Sequence, residues 1–131
     1  MREGVALIFH PVFLKERDIM AKKLKFNFKV NGVKSSNASM TVNESIHMDI
    51  ERKLTDFAQK AYLKSKEADA QNQADKNQAM IEIGREISKM YDGLQQIADM
   101  AMAQKPIKAD LTLVLTGSQN FGEQLECQIS L

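Results

Sequence analysis

The chain contains no tryptophan, one cysteine, two prolines and two histidines in 131 residues. Each scarcity excludes something. Cys127 alone permits no internal disulfide and gives a zinc site no cysteine pair. With only His10 and His47, most metal-ligand sets and nucleophile–base pairs have no histidine to build on. The six glycines stand singly, so there is no Gly-rich phosphate loop and no nucleophile elbow. Charge is almost balanced, 18 Lys/Arg against 17 Asp/Glu, and no global field draws the chain to nucleic acid or membrane. Long apolar runs are missing too. The longest, Val5–Leu14, is broken by His10 and Pro11 and falls well short of the about 20 residues a membrane helix needs. Its flanks do not fit a secretory signal, because Glu3 offsets Arg2 and no small-x-small cleavage site follows. The expectation is a cytoplasmic protein without a membrane partner, metal, cofactor or catalytic residues.

What remains is a 44% apolar, 27% charged composition. A chain of this length buries about two-thirds of its unfolded surface, enough for one core and one domain.

Lys23–Val30 alternates strictly, with Leu24, Phe26, Phe28 and Val30 on one face and Lys23, Lys25, Asn27 and Lys29 on the other. Period two with aromatic and β-branched members predicts a half-buried strand. Asn31-Gly32 is a turn signal. A second strand from about Asn37 to Val42 completes a hairpin, with Val33 to Ser36 read as part of the connection. Thr41-Val-Asn-Glu44 has capping-box spacing, and Asn43 or Ser45 can also cap a helix starting there.

Two helical stripes follow. His47, Ile50, Leu54, Phe57 and Ala61 form the first; Met80, Ile83, Ile87, Met90, Leu94, Ile97 and Ala101 form the second, in a helix that Pro106 ends. Between them, Lys64 to Ala79 carries no large apolar residue. As one rod, Ser45 to Gln104 would be about 90 Å long, against roughly 30–40 Å for a compact domain of this size. A helical hairpin turning near Asn72 to Asn77 resolves the conflict; the alternative is a continuous rod buried against a second copy. Past Pro106, Leu111, Leu113 and Leu115 alternate in one strand, and Leu125, Cys127, Ile129 and Leu131 in a last one. The predicted class is therefore α+β: a small antiparallel sheet in the order ββ-αα-ββ, with a long helical hairpin packed on it or protruding from it.

Residues 1–19 are expected to be a leader or flexible segment outside the native fold, leaving 20–131 as the domain. Lys15-Glu16 can be encoded as a bacterial ribosome-binding sequence, three codons precede Met20, and Met20-Ala-Lys-Lys is a typical bacterial opening.

Few residues carry chemistry. Lys22, Lys23, Lys25, Lys29 and Lys34 make residues 20–34 a +5 segment without an acid, the candidate nucleic-acid contact. Phe26 and Phe28 fall on the opposite face, so no base-stacking platform results. Asp110, Glu123 and Glu126 on the later strands offer cross-strand partners for the lysines. Met80 and Met90 occupy seam positions, whereas Met100 and Met102 cannot both share a seam with Ala101 and are the candidate partner contacts. Glu82 and Glu86 read as a solvated pair beside Arg85 and Lys89, Cys127 as a core residue, and His47 as a packed or capping side chain. The functional expectation is a non-enzymatic bacterial accessory or adaptor protein. It would act through protein–protein contacts with an unidentified partner and self-associate as a homodimer, with the first and last strands as candidate open edges. The alternative is a nucleic-acid-binding protein using the lysine-rich strand.

Overall fold

The computed structural model describes residues 22–67, 73–116 and 122–131. The leader assigned to residues 1–19 lies outside the described residues. The chain runs β1 (Lys23–Val30), β2 (Val33–Thr41), α1 (Ile46–Ser65), α2 (Gln73–Lys89), α3 (Tyr91–Met102), β3 (Lys108–Leu115) and β4 (Glu123–Ser130). The four strands form one antiparallel sheet in the order β2-β1-β4-β3. The helices cover one of its faces, with α1 over β1 and β2 and α2 over β3. This is the α+β class expected, with ββ-ααα-ββ in place of ββ-αα-ββ.

The inward residues of β1 are all buried, as their alternation requires, with Phe28 only 1% exposed. Leu113 and Leu115 of β3, and Leu125, Cys127 and Ile129 of β4, fill the same layer. On α1 the buried face is Ile46, Ile50, Leu54, Ala58, Ala61 and Tyr62. Phe57 lies on the flank of that face and packs its ring against Phe26, centroids 5.6 Å apart. His47 is half-exposed.

Four local readings are corrected. The β1–β2 connection is a two-residue turn, Asn31 (φ 52°) and Gly32 (φ 81°), with Val30 paired to Val33. Both central residues have positive φ, which asparagine tolerates and glycine adopts freely. Strand β2 therefore starts at Val33 and absorbs its irregularity inside the ladder. Ser35 and Ser36 together oppose Phe28, a β-bulge. The bulge aims the Ser35 hydroxyl at helix α1, where it donates to the Ala61 carbonyl at 2.7 Å.

The capping box does not form; Ser45, one of the two alternative caps, takes the N-cap position without a side-chain cap bond. Instead Asn43 Oδ1 accepts the Ser45 N–H at 2.9 Å, an Asx-turn that delivers the chain into α1. Of the hairpin turn expected near Asn72–Asn77, Asn72 lies outside the described residues, and Gln73 to Asn77 is already helical as the first part of α2. The two arms nevertheless fold back on each other, Gln59 Nε2 donating to the Met80 carbonyl and Ser88 Oγ to Glu51.

Finally, the long second helix is two helices. It breaks at Met90 (φ −93°, ψ 11°), whose N–H turns back to the Ile87 carbonyl at 2.9 Å. Helix α3 ends at Met102, before Pro106; Gln104 then turns left-handed (φ 57°), and the Lys105 N–H reaches the Met100 carbonyl in a Schellman-type closure.

Candidate functional site

With one sheet face under the helices, the other presents the polar half of every strand. Its register sets the chemistry row by row. Lys25 lies between Ser39 of β2 and Ser130 of β4, with Lys108 of β3 beyond. In the next row stand Asn37, Asn27, Gln128 and Asp110, and in the third Lys34, Lys29, Glu126 and Thr112. Lys23 is paired with Thr41 at the open end of β1. The concave centre of this face is a groove of about 460 Å³ lined by Asn27, Lys29, Lys34, Asp110, Thr112 and Gln128 among others.

All five sequence-selected lysines are exposed. Lys23, Lys25, Lys29 and Lys34 share this face, and Lys22 precedes β1 with its carbonyl accepting the Val42 N–H. Of the acidic partners expected on the later strands, the described register sets one directly across from a β1 lysine, Glu126 opposite Lys29. On its other side Lys29 faces Lys34, and like charges directly opposed destabilise a sheet.

The sheet edges differ from expectation. β1 and β4 are the central pair, and the edges are β2 and β3. β2 carries the bulge; β3 pairs with β4 through eight residues, Lys108 to Leu115, without an irregularity. On its open face Val114 is 45% exposed. Among the described residues nothing pairs with the outer edge of β3.

Met100 and Met102 both reach solvent from α3 while Ala101 between them is buried, so the pair does leave the seam. No described contact joins them to the sheet face.

Two polar clusters were not foreseen. Glu82, read as solvated, is 5% exposed and accepts from the Thr116 N–H (2.7 Å) and hydroxyl (3.3 Å). It anchors the end of β3 to α2. Glu123, at the start of β4, accepts from the Tyr62 hydroxyl at 2.7 Å, from Lys66 and from Asn31 Nδ2 at 3.3 Å. The Lys66 and Glu123 side chains are 15% exposed, so this knot ties the end of α1 to the β1–β2 turn. Both clusters join residues distant in sequence, and no local pattern signals them.

His47 Nε2 meets Asp99 Oδ1 at 2.5 Å at the α1–α3 contact. The Cys127 thiol is buried, and desolvation, with the Asp110 charge adding to it, pushes its pKa up to about 12. A thiol so held is a poor nucleophile. Among the described residues no group of three His, Cys, Asp or Glu is placed to hold a metal, and no helix is long and apolar enough to cross a membrane.

No family model, curated protein or solved structure matches this chain.

Proposed function

We propose that the chain is a bacterial, cytoplasmic accessory or adaptor protein without catalytic activity, which acts by protein–protein contact and pairs with a second copy through the outer edge of β3. The observation that carries the reading is the contrast between the two sheet edges. β2 is blunted by the Ser35–Ser36 bulge and by Lys34, the devices that keep edge strands from pairing. β3 has no bulge, and its ladder to β4 is regular throughout. Its charges also favour a second copy. In an antiparallel pairing with Ala109 opposite Ala109, each Lys108 faces the other copy's Asp110, and the shared ladder is the short segment Lys108 to Asp110, ended by Pro106 of each copy. Such a contact joins two sheets into one of eight strands, with all helices on the same side of each half.

The test is a charge swap read by light scattering at high micromolar concentration. The unaltered chain should run at twice its 14.8 kDa mass. Asp110→Lys should give monomer, since Lys108 then faces a second lysine. Adding Lys108→Asp should restore the dimer, because the facing charges are opposite again. A monomeric unaltered chain, or a dimer indifferent to both changes, removes this reading.

A further inference from the structure

The acid-free half of the open sheet face has a charge distribution that self-association leaves unused. Between Met20 and Asn43 the chain has five lysines and no Asp or Glu, and this stretch forms the whole of β1 and β2. By contrast, residues 44–105, which include all three helices, hold nine Lys/Arg against eleven Asp/Glu. The molecule is thus polar in charge: cationic on the β2–β1 half of the sheet face, slightly anionic on its helical side. The acids of the same face, Glu126 and Asp110, lie on β4 and β3.

Edge protection accounts for Lys34 on β2. It does not account for Lys23, Lys25 and Lys29, which stand on a strand paired on both sides. These three run about 20 Å along β1, with Lys23 and Lys25 about 6.7 Å apart. Between and beside them are Asn27, Asn37, Ser39 and Thr41, small polar groups that donate hydrogen bonds and add no opposing charge. We propose that this surface binds the phosphate backbone of a nucleic-acid duplex without reading its bases. A duplex is the polyanion of matching character, carrying one charge per about 1.7 Å of axis. Single strands are held by basic grooves that also stack bases on aromatic rings. Here the only aromatics of the two strands, Phe26 and Phe28, are buried beneath the helices.

The experiment uses the full chain and a labelled mixed-sequence DNA duplex two helical turns long, followed by fluorescence anisotropy. Three to four lysine–phosphate contacts predict weak binding, with a Kd of about 1–100 µM, that loosens about 40- to 150-fold between 50 and 200 mM salt. Lys25→Glu with Lys29→Glu should abolish it at the lower salt. Lys60→Glu with Lys64→Glu, an equal change of net charge on exposed positions of α1, should leave most of it. Thermal melts of the two double variants should agree, confirming that both fold. Three results overturn the proposal: no duplex binding at 50 mM salt, equal loss in both double variants, or capture of polyglutamate with the duplex left unbound. The last would assign the surface to an acidic protein instead.

Discussion

A proline scan along the start of α2 measures where the helical hairpin turns. Ala74 and Gln78 are both exposed residues of α2, one turn apart, so replacing either disturbs no packing. They differ in backbone role. A helix that begins at Gln73 places the Ala74 N–H in its first turn, whose donors have no partner inside the helix. Proline there removes nothing and brings a suitable φ. Gln78 lies past the first turn, and its N–H bonds back along the helix. Proline at 78 deletes that bond and drives its ring against the Ala74 carbonyl, a loss of about 3 kcal/mol. At roughly 2.1 cal/mol/K for each of the 131 residues, 3 kcal/mol lowers the Tm by about 11 °C, whereas Ala74→Pro should stay within about 4 °C. Scanning calorimetry, with Gln78→Ala as the control, reads both. Equal large losses at 74 and 78 would mean a helix continuous across the connection. Two small losses would place the turn inside 73–78 and refute the assignment of α2.

Other expectations follow from the core and the polar knot. Phe28→Ala should cost about 3–5 kcal/mol in urea unfolding, while Lys29→Ala, one residue along on the open face, should cost under about 0.5. Tyr62→Phe removes one donor from the Glu123 knot, and with Lys66 and Asn31 still in place the loss should be about 1.5 kcal/mol; no change would mean the hydroxyl is idle. Because burial raises the Cys127 pKa from 9.0 to about 12, the thiol adds stability below pH 9 that is lost as pH rises toward 12. Cys127→Ala should flatten that alkaline limb of the stability curve, and the native thiol should resist a thiol reagent at pH 8 until denaturant is added.

Much of this fold was legible because its information is local. Three strands announce themselves by alternation that survives into burial residue by residue, and Asn31-Gly32 marks its own turn. Strand β2 was read too short because the bulge at Ser35–Ser36 breaks its period, and two small polar residues look the same in a loop. The break at Met90 was hidden for the opposite reason. The stripe Ile83, Ile87, Leu94, Ile97 keeps helical spacing across it, so periodicity registers no interruption. Sheet order depends on which strands meet, which alternation does not encode. One cue existed: four large inward residues on β1 suit a central strand, while Ala38 and Met40 on β2 suit an edge. Glu82 is not placed by local pattern because its hydrogen-bond partner is Thr116, 34 residues away. For the candidate site, the lysine stripe was readable from spacing alone. Which neighbours flank it, and so how little of its charge is cancelled, required the register.

The Ser35–Ser36 bulge bears on stoichiometry as well as shape. A sheet with two pairing-competent edges can add copies head to tail, and nothing in that arrangement stops growth. Disabling one edge changes the arithmetic. The remaining edge can meet only its own like, and a contact between two identical patches uses both and closes on a two-fold axis. On the β3 pairing proposed above, one extra residue in a strand at the far side of the sheet would separate a protein that forms pairs from one that forms fibres. Deleting Ser36 would be the smallest change that puts the second edge back in play.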